Sequence, residues 1–141
     1  MIPRLFQFIS LSLVVSFAAL AVAHSQQPTP FKFLQTKAEQ GGRDVMELYA
    51  YAGKFDPAAL KAFCLDRKSK STAKAFYYAV IFDSAANAKF PSSPFTAEYG
   101  IEENTLKHIR AIYVYNRVNG FSELRYHDAN IWDHSPTREK L

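Results

Sequence analysis

The chain has 141 residues, of which 17 are basic and 13 acidic, for a net charge of +4. This length fits one domain with a modest core. The only cysteine is Cys64, so no intramolecular disulfide can form. A hydrophobic core must therefore stabilise the fold in place of a disulfide, and aromatic residues, which make up 15% of the chain, supply that core. The basic residues are spread along the chain, with one cluster at 67–74 that is typical of a helix C-terminus, so nucleic acid is not an expected partner.

The first 23 residues have the three parts of a cleavable export signal. Arg4 is a lone positive charge, 11–22 is an uncharged apolar run, and Ala21-Val22-Ala23 is a small-x-small cleavage site. The apolar run is too short for a comfortable bilayer span, although an uncleaved N-terminal anchor remains the alternative. Removing 1–23 takes away only one charge, which leaves +3. We therefore expect a periplasmic or extracellular protein with no membrane span after signal removal.

A polar leader at 24–30, with two prolines, precedes the predicted domain at 31–132. Strands are predicted at 31–37 and 45–51, and Gly41-Gly42 between them suggests a hairpin. A helix starts at Asp56-Pro57, since Asp can cap the first turn and Pro suits the first helical position.

The helix extends to about Lys68 and buries Cys64 as a small apolar residue. The strongest strand is 75–83, which is apolar on both faces and therefore interior. Its face with Ala75 and Ala79 is the smaller one and would suit the helix. The long stretch 84–104 is either a functional loop or an ordered surface crossover.

A hairpin is predicted from strands 106–118 and 121–128, joined by Asn119-Gly120 in a type I′ turn. The polar tail 133–141 is expected to be frayed. These elements predict a two-layer α+β fold, with a four- to five-stranded, mainly antiparallel sheet and one principal helix packed on one face. Strand 45–51 could instead run parallel to 75–83 through a helical crossover, and the sequence leaves this open.

The two-residue turn fixes the register of the hairpin, with Val118 opposite Phe121. One face of the ribbon is then aromatic and suited to packing: Tyr113, Tyr115, Leu124 and Tyr126. The other face collects polar side chains: His108, Arg110, Asn116, Glu123, Arg125 and His127.

Three interpretations of this polar face stay open. It can be the solvated face of an antiparallel sheet. It can be a binding surface in which Arg110, Arg125, His108, His127 and Asn116 hold an anionic group. It can also be a catalytic face for phosphodiester cleavage, with acid–base roles for Glu123, His127 and His108.

The preferred hypothesis is an exported binding or accessory domain, not an enzyme, that recognises an anionic small molecule or a protein partner. The alternative is a small secreted phosphodiester hydrolase. No cofactor or metal is expected, because His127-Asp128 with Asp133-His134 matches no known metal signature. An N-terminal His24 could bind copper only if cleavage exposes it. The oligomeric state is left open.

Overall fold

A computed structural model describes residues 29–95 and 101–141. The predicted signal peptide at 1–23, most of the leader, and residues 96–100 of the predicted loop lie outside these described residues. The six strands are β1 (Lys32–Glu39), β2 (Asp44–Ala50), β3 (Phe76–Phe82), β4 (Ile109–Asn116), β5 (Ser122–Tyr126) and β6 (Thr137–Lys140). The helices are α1 (Pro57–Lys70) and α2 (Glu103–Leu106), with short 3₁₀ turns at Gln40–Gly42 and Ala85–Asn87.

The strands form one mixed sheet whose spatial order follows the chain order from β1 to β6. Only β2 and β3 run parallel; all other neighbours are antiparallel. The predicted α+β class with one main helix is confirmed, but the sheet has six strands and one parallel pair. The extra strand is β6, which pairs with β5 in the segment expected to be frayed.

Helix α1 connects the parallel pair and starts where the sequence predicts. The Asp56 carboxylate accepts a hydrogen bond from the amide of Ala58 at 3.0 Å, and Pro57 occupies the first turn. The helix ends two residues later than expected, in a last turn rich in cations that oppose the negative end of the helix dipole. Within the described residues, no helix is long and apolar enough to cross a bilayer.

The sheet has a core on each face. The helix-side core joins Leu60, Phe63 and Cys64 of α1 to alternate residues of the central strands. As the sequence predicts, this face carries the smaller side chains of β3, including Ala79. The opposite core lies under the segments around Phe95 and Leu106. Burial on both faces explains why β3 is apolar throughout.

The β4–β5 connection differs from the predicted two-residue turn. Tyr115 pairs with Ser122, so the register is shifted by two residues and the connecting loop is longer. The side chain of Asn116 accepts a hydrogen bond from the amide of Val118, and Gly120 alone in this loop has a positive φ, of 76°. A type I′ turn needs positive φ at both central residues, so it is excluded. Because a shift of two preserves side-chain alternation, the aromatic face stays on the helix side.

Candidate functional site

An open cleft lies at the β1 edge of the sheet, between the β1–β2 hairpin and the C-terminal half of α1. We call it the edge cleft; its cavity volume is about 380 Å³. Its aromatic wall is formed by Phe31, Phe33, Tyr49 and Phe63. Its polar side is formed by Thr29, Glu47, Asp66, Arg67 and Lys70. An apolar concavity with a few convergent polar groups is typical of a small-molecule site.

The aromatic wall consists of rings in edge-to-face contact. The ring centroids of Phe33 and Tyr49 are 5.6 Å apart, and those of Tyr49 and Phe63 are 4.9 Å apart. Phe63 and Tyr49 are buried, whereas Phe33 is 52% exposed at the mouth. The wall therefore offers a rigid apolar surface with one ring already open to solvent.

The floor of the cleft holds a carboxylate that accepts four hydrogen bonds from protein side chains. Glu47 accepts Nη2–H of Arg67 at Oε1 (2.8 Å) and Nε–H of Arg67 at Oε2 (3.1 Å). The hydroxyls of Tyr49 and Tyr77 each donate to the same Oε2 at 2.6 Å. Oε2 thus accepts three hydrogen bonds and Oε1 accepts one, so the charge of Glu47 is already compensated by protein donors.

Burial keeps the two tyrosines of this network protonated. Desolvation raises the pKa of Tyr49 well above its usual value, and the hydrogen bond to Glu47 raises it further. Desolvation also raises the pKa of Tyr77, and the charges of Tyr49 and Glu47 add to the rise. Both hydroxyls therefore act as donors to Glu47 and do not serve as bases.

Unused hydrogen-bonding capacity at the cleft lies mainly in its cations. A guanidinium has five N–H groups and an ammonium has three. Glu47 takes two of those of Arg67. The Lys70 ammonium pairs with Asp66 at 2.8 Å, where both side chains are partly exposed to solvent. The arrangement can therefore donate hydrogen bonds to an acidic or carbonyl group beside an apolar wall.

Simple periodicities place these groups together. Glu47 and Tyr49 are two residues apart on β2, so they share the helix-side face. Phe63, Arg67 and Lys70 recur at spacings of four and three on α1, which aligns them along one stripe.

Arg110 does not lie on the polar face predicted for it. Phe82 pairs with Ile109 and Ile81 with Ala111, so a bulge leaves Arg110 outside the alternation. Its side chain is only 4% exposed and donates to the backbone carbonyls of Tyr51, Gly53 and Asp128. All three nitrogen atoms of the guanidinium are thus engaged in holding loops together.

His108 precedes β4 and pairs with a carboxylate that the sequence analysis did not include. Its Nδ1 lies 2.7 Å from Oδ2 of Asp83, and Asn87 donates to Oδ1 of Asp83 at 3.0 Å. Burial alone would raise the pKa of Asp83, but the hydrogen bonds from Asn87 and His108 outweigh it and lower that pKa. This is a hydrogen-bonded pair at the rim of the sheet, apart from the other predicted site residues.

The remaining predicted residues are divided between two ends of β5. Arg125 lies 3.6 Å from Glu123, which also contacts Arg138. Asn116 is engaged in the β4–β5 loop. His127 lies just beyond β5, where its Nδ1 accepts the amide of Ala129 and its ring stacks on His134 at 4.5 Å.

The set predicted for phosphodiester cleavage is therefore not brought together. Glu123 and His127 are four residues apart along extended backbone, which is about 13 Å. His108 belongs to the separate pair with Asp83. In the described part of the chain, no group of three or more His, Cys, Asp or Glu is arranged to hold a metal ion.

The sequence analysis did not select two residues of the edge cleft, Glu47 and Arg67, although the sequence contains a signal for them. Glu47 is a lone carboxylate on the face of β2 that also carries Val45 and Tyr49. Arg67 falls on the apolar face of α1, four residues after Phe63. Two opposite charges, each on the buried face of its own element, indicate an ion pair between those elements.

Comparisons of the chain with protein-family models, with curated proteins and with solved structures give no match.

Proposed function

We propose that this chain is an exported binding domain whose edge cleft takes a small molecule with an apolar body and an acidic group. One observation carries the proposal: the floor carboxylate of the cleft is already paired with Arg67 and two tyrosines, while Arg67 and Lys70 have more N–H groups than Glu47 and Asp66 use.

The aromatic wall supports an apolar body. A ligand lying against Phe33 would cover a ring that is now half in water, and it would contact Tyr49 in the same row. Burying that surface favours binding through the hydrophobic effect. The ring pairs hold the wall in place, so little ordering is needed when the ligand arrives.

The cations support an acidic group. The four formal charges of the cleft sum to zero, so the preference arises from unused donors and not from net charge. A carboxylate placed between Arg67 and Lys70 would accept charge-assisted hydrogen bonds, which are stronger than neutral ones. A neutral amide of the same shape would form weaker bonds there.

Export is supported by the N-terminal sequence. Arg4, the apolar run 11–22 and the motif Ala21-Val22-Ala23 together form a signal that a signal peptidase would cleave. Expression of the full chain in a bacterial host, followed by N-terminal sequencing of the envelope fraction, tests this. Release after Ala23 or Ser25 supports export, and an intact chain in the cytosol contradicts it.

The binding proposal is tested by thermal shift and calorimetry on the mature chain. The probes are benzoate, phenylacetate and medium-chain fatty acids, each with its amide as a neutral analogue. A ligand that binds only the native state raises the unfolding temperature. We expect one or more acids to stabilise the protein and the matching amides to bind at least about fivefold more weakly.

Two variants locate the site. Phe33→Ser and Lys70→Gln should each weaken binding about five- to tenfold. Trp132→Ser is the matched control for Phe33, since both rings are 52% exposed and Trp132 is not in the cleft. The proposal is wrong if no acid stabilises the chain, or if the cleft variants bind as tightly as the Trp132 variant.

A further inference from the structure

In the described part of the chain five large hydrophobic side chains are exposed, and two of them lie in one loop. Val118 is 78% exposed and Phe121 is 44% exposed, and both belong to the β4–β5 connection. The other three are Phe33, Leu65 and Trp132. The loop is exposed to solvent. It lies at the end of the sheet where β3 begins, since the amide of Arg117 donates to the carbonyl of Ala75.

Basic side chains surround this loop. We call Arg43, Lys68, Lys70, Lys74 and Arg117 the basic rim. Arg117 donates to the carbonyl of Ser71 at 2.7 Å, and Lys74 donates to the carbonyl of Gly41 at 3.2 Å. These bonds join the end of α1, the start of β2 and the β4–β5 loop at one end of the sheet.

Little negative charge opposes the rim. Asp44 is fully buried beneath Arg43, with the closest N–O approach at 3.9 Å. Asp66 pairs with Lys70 alone. Glu39 accepts the amide of Phe95 and contacts Lys37 on the other side of the hairpin.

The helix dipole accounts for only part of the rim. Lys68 and Lys70 lie in the last turn of α1, where cations are favoured. Arg117 donates to the carbonyl of Ser71, the C-cap of α1, and so gains from the same dipole. Arg43 and Lys74 lie outside the last turn of the helix. Their position beside exposed Val118 and Phe121 therefore needs a different explanation.

We propose that this end of the domain docks on a membrane surface that contains anionic lipid. Val118 and Phe121 enter the interfacial region, and the basic rim contacts lipid phosphates. Apolar side chains at a tip, ringed by Lys and Arg, match a bilayer surface, where apolar and anionic layers lie one above the other. A nucleic acid would match the cations but would leave Val118 in water.

The basic rim shares Lys70 with the edge cleft, so the test of this proposal leaves Lys70 and the other cleft residues unchanged. The mature chain is mixed with vesicles of pure phosphatidylcholine and with vesicles that also contain phosphatidylglycerol, and bound protein is measured by sedimentation. We expect binding only to the anionic vesicles, with a decrease as salt is added.

Matched variants separate the two contributions. The double variant Val118→Ser with Phe121→Ser, and the double variant Lys68→Gln with Lys74→Gln, should each weaken binding about tenfold or more. Lys32→Gln with Lys54→Gln is the charge control, since both lysines lie at the opposite end of the sheet. Circular dichroism checks that each variant folds.

A fluorescent reporter tests insertion directly. Val118→Trp in a Trp132→Phe background places the only tryptophan at the tip. Its emission should shift to shorter wavelength with anionic vesicles and stay unchanged with pure phosphatidylcholine. The proposal is overturned if the chain does not bind anionic vesicles, if the tip and control variants bind equally, or if the tip tryptophan stays in water.

Discussion

Two arginines of this protein are held in very different ways. Arg110 gives its guanidinium to three backbone carbonyls and lies over the ring of Phe55, 4.6 Å from its centroid. Arg67 gives its guanidinium to one carboxylate, Glu47, and borders an open cleft. Backbone carbonyls are not protonated, and they cannot move without the chain that carries them. The hydrogen bonds of Arg110 are therefore part of the fold. A carboxylate on one side leaves the second arginine able to serve a ligand on the other.

The largest expected effect comes from removing the buried arginine. Arg110→Met keeps much of the volume but leaves three carbonyls without a donor, so we expect a loss of about 3–5 kcal/mol of unfolding free energy. Urea denaturation of the mature chain measures it. Arg125→Met is the control on the same ribbon, where the ion pair is partly exposed and the loss should stay below about 1 kcal/mol. Equal losses in the two variants would contradict a structural role for Arg110.

Removing the cleft arginine should cost less, and its cost should depend on its partner. Arg67→Met leaves the carboxylate of Glu47 with only the two tyrosine donors, which we expect to cost about 2 kcal/mol. Glu47→Gln removes that charge, so the double variant should be less destabilised than the sum of the single variants. Denaturation of all four proteins gives the coupling. Strict additivity would mean that the two side chains do not act as a pair.

Much of the fold is predictable from the chain because local patterns and burial agree. Strand β3 is apolar on both faces, and Asp56-Pro57 marks the start of α1. Strand β6 has no such pattern: its four residues, Thr-Arg-Glu-Lys, are held by ladder bonds to β5 and by the ion pair of Lys61 with Glu139. Tertiary pairing of this kind leaves no local signal.

The polar face of the β4–β5 ribbon was harder to predict, because a bulge in β4 redirects the side chain of Arg110. Simple alternation places Arg110 on the same face as Arg125, but the bulge at Arg110 turns its side chain toward the loop that follows β2. A bulge adds one residue without changing the hydrophobic pattern. By contrast, Glu47 and Arg67 follow regular periodicity, so their shared face could be predicted, although their 2.8 Å contact could not.

The tyrosines beneath the cleft should make the unfolding free energy fall at alkaline pH. An unfolded tyrosine loses its proton near pH 10, whereas burial first, and then Tyr49 and Glu47, raise the pKa of Tyr77 in the folded chain. Above about pH 10 the unfolded state has therefore released a proton that the folded state retains, and the unfolding free energy falls as pH rises.

Tyr77→Phe tests this dependence. The variant should lose about 1–2 kcal/mol near neutral pH, because its hydrogen bond to Glu47 is gone. It should also lose less stability than the natural chain between about pH 9 and pH 11. Urea midpoints across that range measure both effects. Parallel curves for the two proteins would show that Tyr77 ionises in the folded state as it does in the unfolded one.

The smallest effect is expected at Asp83, whose carboxylate lies close to solvent. Burial would raise the pKa of Asp83, but the hydrogen bonds from Asn87 and His108 outweigh it, so the folded pKa lies below the unfolded value of about 3.9. The carboxylate therefore stabilises the fold above that unfolded value, and the contribution is lost as pH falls through the folded pKa. Because the side chain is 37% exposed, solvent screens the pair and the contribution should stay below about 1 kcal/mol.

Asp83→Asn should thus be less stable than the natural chain at about pH 6, and the difference should shrink toward about pH 2 as the carboxylate takes up its proton. Urea denaturation at the two pH values measures the difference, and added salt should reduce it at the higher pH. A constant difference at both pH values would assign the effect to shape and not to charge. If the loss of unfolding free energy decreases from Arg110 to Arg67 to Asp83, the stabilising effect of each polar group increases with its burial. Only the groups that remain partly in water are then free to serve a ligand.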